Sequence, residues 1–190
     1  TPPKARLEII DYLIKVGAKN IIIEKPLSIS IKEGEKIKNY VLNNNINCFI
    51  NYHRRNIKLI LDIKKIIKNC IAINVSYNCG LLNYASHAID LINFYVGKLN
   101  FVKSSINPIN LSRELDKSYS FFGEIDNKVK VNFNGYDNAN YNLLDIDFFC
   151  KNKKVSITAG DKIFKIEEKV NNLYYQGYSH LKNDNIYKNN

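Results

Sequence analysis

His87 lies in the stretch GLLNYASHAIDLINFYVG, residues 80–97, with Asp90 a turn further on and Gly97 closing the segment. Histidine titrates near neutral pH, so on a helix beside a cleft it could take a proton from a bound hydroxyl. In a stretch this apolar it could equally be a packed core residue. A second candidate is Glu24-Lys25-Pro26, directly after the run Ile21-Ile22-Ile23. If that run is a parallel strand, the tripeptide sits at its C-terminal end, where open α/β sheets bind ligands. A lysine there would be aimed at the crevice, although by spacing alone an ordinary strand-to-helix loop explains it too. A third is Asn51-Tyr52-His53-Arg54-Arg55. Its arginines could pair with a phosphate, because the guanidinium fork matches phosphate oxygens. They could also be a solvated helix start, though arginine sits poorly beside the positive end of a helix dipole.

The first part of the chain reads as helix, strand, helix. Thr1 caps a helix that tolerates Pro2 and Pro3 in its first turn. Ile9, Ile10, Leu13 and Ile14 form its apolar stripe, and Gly17 stops it. The unbroken run Ile21-Ile23 predicts a strand buried on both faces, as in a parallel sheet. Ser30 and Glu33 make a capping box for the next helix, which carries Ile37, Tyr40 and Val41. This is the grammar of a doubly wound α/β layer.

The second part differs. NCFINYHRR reads as a strand, and a helix follows from Asn56 to Asn69. CIAINVSYN alternates cleanly, with Ile71, Ile73, Val75 and Tyr77 on one face. After the His87 helix come NFVKSSI, SYSFFGEI, KVKVNFNG, YNLLDIDFFC, KVSITAG and KIFKIEE, strands separated by polar turns. Strands gathered after helices predict an α+β domain with a largely antiparallel open sheet and helices on one face. The polar tail after Asn171 shows no periodicity. The expected division is 1–49, a Rossmann-like α/β remnant; 50–172, the α+β domain; and 173–190, the tail.

Composition excludes more than it selects. The formal charge of +10 comes from lysines and arginines spread along the chain, not from a basic stripe, so nucleic acid is not the expected partner. No stretch has the length of a membrane span. Cys48, Cys70, Cys79 and Cys150 show no metal-ligand spacing and read as reduced thiols of a cytoplasmic protein, with no metal expected. The chain begins with Thr1 and holds no methionine, which reads as a processed protein or a piece of a longer one.

TPP, EKPL, NYHRR and SHAIDLINFYVG occur in this order, and together they resemble the Gfo/Idh/MocA oxidoreductases, over residues 1 to about 170. TPP is similar to the turn after that family's fourth Rossmann strand, and EKPLS to its EKP signature. The resemblance implies a Rossmann domain for NAD or NADP, followed by a sheet domain that shapes the substrate site. It implies Lys25 and His87 as catalytic groups with Asn83 assisting, and Glu24, Lys25, Pro26, Tyr52 and Arg54 on the cofactor side. A sugar, nucleotide sugar or polyol would be the substrate, and the second sheet would carry a homo-oligomer.

Two departures stand beside it. Many relatives have an aspartate where this chain has Asn83, which can hydrogen-bond a hydroxyl but cannot take its proton. No G-x-G-x-x-G occurs, so the turn that seats a pyrophosphate at a helix N-terminus is missing. The chain alone is therefore expected to be inactive, as part of a longer enzyme. The rival expectation is a non-catalytic relative kept as a binding or assembly module.

Overall fold

The computed structural model describes residues 5–67, 69–104, 116–137, 139–160 and 162–188. The expected Thr1 cap, with Pro2 and Pro3, lies outside them, as does the end of NFVKSSI. The chain forms two compact units that divide between His53 and Arg54.

The first unit contains α1 (Arg6–Lys15), β1 (Asn20–Glu24), α2 (Ile31–Asn43) and β2 (Asn47–Asn51). Gly17 ends α1 with a positive φ, and the Ala18 N–H turns back to the Leu13 carbonyl at 2.9 Å. Ser30 caps α2, its hydroxyl accepting from the Glu33 N–H at 3.2 Å, as the sequence predicts. β1 and β2 pair in parallel, Ile21 opposite Cys48 and Glu24 opposite Asn51. Ile21 and Ile23 join Ile10 of α1 and Ile37 and Val41 of α2 in one apolar cluster. The expectation that β1 is buried on both faces needs correction, because Ile22 is 74% exposed. Alternate side chains of a strand point to opposite faces, and the cluster covers only the face of Ile21 and Ile23.

The second unit contains α3 (Lys58–Ile66), β3 (Cys70–Tyr77), α4 (Ser86–Tyr95), β4 (Asn100–Ser104), β5 (Phe121–Ile125), β6 (Val129–Gly135), β7 (Leu144–Cys150), β8 (Lys153–Thr158), β9 (Ile163–Asn171) and β10 (Ser179–Lys188). Among the described residues the sheet has eight strands, in the order β10-β9-β8-β7-β3-β6-β5-β4. Every pairing is antiparallel except β3 with β6. The tail is not without structure: β10 returns along β9.

Helices α3 and α4 cover one face of this sheet. Ile60 and Ile63 from α3 and Leu91 and Ile92 from α4 pack on Ile73, Val75, Val131, Ile146, Phe148 and Phe164. The opposite face is polar. Asn132 donates to Asn74 at 3.2 Å, Ser156 donates to Asp147, and Lys154 pairs with Asp147 at 3.0 Å. Ile71 departs from the predicted alternation and is 59% exposed, because the β3–β7 register slips between Cys70 and Ala72.

Phe148 is fully buried and meets the Tyr95 ring edge-on at 5.5 Å between centroids, joining sheet to α4. Phe148→Ala should destabilise the protein by about 3–5 kcal/mol, transfer and cavity costs together. A lowered urea midpoint at unchanged slope checks this.

Candidate functional site

In the first unit the EKP segment occupies the C-terminal end of a parallel strand. Glu24 is the last residue of β1, and its carboxylate accepts from the Asn51 side-chain amide at 2.6 Å, linking the ends of β1 and β2. Lys25 follows, half-buried, and the Lys25–Pro26 peptide is cis. The Pro26 carbonyl accepts a hydrogen bond from the guanidinium of Arg6, the first residue of α1. Burial pushes the Arg6 pKa down, and the carboxylates of Glu24 and Glu33 oppose that shift. Arg6 is 4% exposed and fixes the loop that carries Lys25. Sequence reasoning passed over it, because an arginine at a helix start looks solvated until its carbonyl partner is known. Tyr52 also belongs to this unit; it is half-buried, and its N–H donates to the Ile50 carbonyl at 2.9 Å.

In the second unit Arg54 and Arg55 lie on a short 3-10 turn, His53–Asn56. Arg54 runs beside the β8–β9 turn, where a methyl group on Gly160 would come 3.9 Å from Nη2. Arg55 does something the sequence did not disclose. Its Nε donates to Asp90 Oδ2 at 3.0 Å and its Nη2 to Oδ1, a two-pronged pair with a carboxylate that is 8% exposed. Asp90 therefore secures the turn to α4.

A turn of π-helix, Leu81–Ala85, runs directly into α4. Such turns recur at functional sites, and their N–H groups need acceptors like those of any helix start. The segment Asp116–Ser118 supplies them. The Gly80 N–H donates to Ser118 Oγ at 3.1 Å and the Leu81 N–H to the Lys117 carbonyl at 2.9 Å. Those of Leu82 and Asn83 donate to the two Asp116 oxygens at 2.7 and 2.8 Å. A carboxylate at a helix N-terminus is also favoured by the dipole. Gly80 is required here: its φ is +97°, and a Cβ would meet Asp116 at 2.2 Å.

Asn83 is exposed on that turn, and His87 lies four residues on, buried at 5% exposure. The spacing puts both on one side of the helix. The result is an imidazole on a helix fixed at its start by Asp116 and one turn later by Arg55. Such a group can hold or move a proton without repositioning. Asp116, which accepts from the start of this helix, is the support that sequence reasoning missed, and no local signal could have found it, since it lies on a distant segment.

Among the described residues no three His, Cys, Asp or Glu side chains converge as metal ligands, and no helix is long and apolar enough to cross a membrane.

No family profile matches this sequence, and no curated protein matches it. Solved structures do match along almost the whole chain. A putative NADPH-dependent oxidoreductase from Desulfitobacterium hafniense aligns with a TM-score of 0.78 at 13% identity, over 99% of this chain and 63% of its own. UDP-N-acetylglucosamine 3-dehydrogenase GnnA from Acidithiobacillus ferrooxidans aligns with a TM-score of 0.75 at 11% identity, over 100% of this chain and 63% of its own. This chain has the fold of these oxidoreductases. It shares that fold also with a variant of KijD10, a 3-ketoreductase from Actinomadura kijaniata in complex with TDP-benzene and NADP (TM-score 0.69, 14% identity, 96% of this chain and 61% of that one). The chain thus spans less than two thirds of each of these proteins.

Asp116→Ala removes the acceptor of two helix-start N–H groups and should lower stability by about 1–2 kcal/mol, with Asp116→Asn costing less. Urea denaturation of both variants checks this.

Proposed function

We propose that this chain carries the substrate-handling part of a nicotinamide-dependent oxidoreductase of the Gfo/Idh/MocA type, acting on a hydroxyl of a sugar, nucleotide sugar or polyol. The observation that carries the reading is the coincidence of motif order with fold. An EKP segment ends a parallel strand and a histidine helix covers an antiparallel sheet, in a chain that aligns over 99% of its length with an oxidoreductase. Two structural neighbours, a UDP-N-acetylglucosamine 3-dehydrogenase and a 3-ketoreductase in complex with NADP, support the substrate and cofactor classes.

NAD or NADP, when bound, accepts or supplies the hydride. Lys25, half-buried at a parallel strand's C-terminal end on a loop held by Arg6, fits the nicotinamide-ribose end of such a cofactor, with Glu24, Pro26, Tyr52 and Arg54 as further contacts. The sequence offers no glycine-rich turn for the pyrophosphate.

His87 is the acid-base group: it takes the hydroxyl proton in oxidation and returns it in reduction. Lys25, in the first unit, is the second catalytic group of this reading. Asn83 hydrogen-bonds a substrate hydroxyl and orients it. Self-association through the polar face of the second sheet completes the proposal, to be checked by the mass of the protein in solution.

The test is calorimetric titration of NAD and NADP, into this chain and into the chain preceded by a strand, a G-x-G-x-x-G turn and a helix. Binding is expected only to the longer protein. In that protein His87→Ala should lower kcat by about 10²–10⁴-fold and flatten the pH dependence of kcat/KM, and Lys25→Ala should lower kcat as well. Unchanged turnover in both folded variants would leave a non-catalytic module as the better account.

A further inference from the structure

Cys70 opens β3 and Cys150 closes β7, and the two are direct partners in the antiparallel ladder. Direct partners in such a ladder hold their Cα atoms about 4.5–5.5 Å apart, with side chains on the same face. That separation lies inside the range of about 4.4–6.8 Å that a disulfide spans. Both residues are reduced here, and both belong to the packed side of the sheet, Cys150 buried and Cys70 half-buried. The two thiols are close enough to influence one another, and the Cys70 thiol donates to the Ala72 carbonyl at 3.4 Å. The register slip just beyond Cys70 frees the β3 backbone from strict pairing at this end, which gives the two sulfurs room to adjust.

The pair can also be reached. A cavity of about 370 Å³ opens onto Cys150, lined by Lys65, Asn69, Lys151, Asn152 and Lys153. Cys48 and Cys79 have no such partner: Cys48 is on β2 of the first unit, and Cys79 is bonded to the Asn142 side chain.

We propose that Cys70 and Cys150 are a modification site: a dithiol that a low-molecular-weight disulfide oxidises to a cross-strand bond tying β3 to β7. The Cys150 thiolate, reached through the cavity, attacks one sulfur of the small disulfide RSSR. A mixed disulfide forms on Cys150, and the first RS⁻ leaves and takes up a proton. The Cys70 thiolate then attacks the Cys150 sulfur and expels the second RS⁻. The protein loses two electrons and two protons, and two RSH are produced. The cavity reaches Cys150, so Cys70 acts second; interaction with Cys150, and then burial, hold the Cys70 thiol well above the ordinary thiol range, and the exchange speeds up with rising pH.

The probe is glutathione disulfide, applied to the folded protein, followed by alkylation of remaining thiols and peptide mass spectrometry. The expected result is loss of two alkylatable thiols and one linked peptide pair containing Cys70 and Cys150, reversed by dithiothreitol. Cys70→Ser should stop at glutathione on Cys150. The cross-link should raise the thermal midpoint by roughly 5–10 °C. The readout on the unaltered protein does not depend on the variant folding. Linkage that appears only in urea, that joins Cys48 or Cys79, or that forms only between chains would overturn the proposal. So would a protein that keeps all four thiols in excess oxidant.

Discussion

Strand β3 lies between a parallel neighbour, β6, and an antiparallel one, β7, while its packed face is sealed by two helices. Ile73, Val75 and Tyr77 on that face have no exposed surface at all. Burying such side chains supplies about 1.5–3 kcal/mol each, and the remaining elements of the second unit take their positions from this central strand. A parallel partner requires a crossover, and the chain between β3 and β6 provides it as the π turn, α4, β4 and β5. The Tyr77 hydroxyl, buried at the end of β3, donates to the Tyr119 carbonyl at 2.6 Å. The Tyr95 hydroxyl on α4 donates to the Ile60 carbonyl of α3 at 3.0 Å. Each buried phenol thus meets an acceptor, and burial raises the pKa of both.

The crossover has a cost that shapes the candidate site. A helix start presents N–H groups that have no partner within the helix. Asp116, Lys117 and Ser118 meet that demand, so the Asn83–His87 stretch is held from outside the helix as well as from within. The Arg55–Asp90 pair adds a second fixed point, and Phe94 lies under both the Arg55 and Lys64 cations, at 5.8 and 3.8 Å. In the first unit Arg6 plays the corresponding part for the Lys25 loop. Rigid support of this kind suits acid-base chemistry, in which a misplaced group loses most of its effect.

Much of this architecture was legible beforehand. The alternation of YNLLDIDFFC gave β7, and the Ser30–Glu33 spacing gave the start of α2. Both are local signals, set by the period of the backbone and by hydrogen bonds that span three residues. The readings that needed revision were those where a local pattern meets a distant partner. Ile21-Ile22-Ile23 looks buried throughout, yet the cluster of α1 and α2 takes only alternate members. Ile71 fits the β3 alternation until the register against β7 slips. The segment after Asn171 lacks any period of its own and gains strand structure from the edge of β9.

The sequence by itself determined the order of elements as far as β9, the helix-rich beginning and strand-rich end, and the placing of Lys25 after a strand and His87 on a helix. These follow from periodicity and side-chain type, which act over a few residues. Tertiary structure alone decided that Arg6 meets the Pro26 carbonyl, that Asp116 meets the start of the His87 helix, that Asp90 faces Arg55, and that Cys70 lies opposite Cys150. The physical reason is the same in each case. A polar group must find a partner when it is buried, but nothing in local spacing says which distant segment will bring one, and only the register of the folded sheet makes that choice.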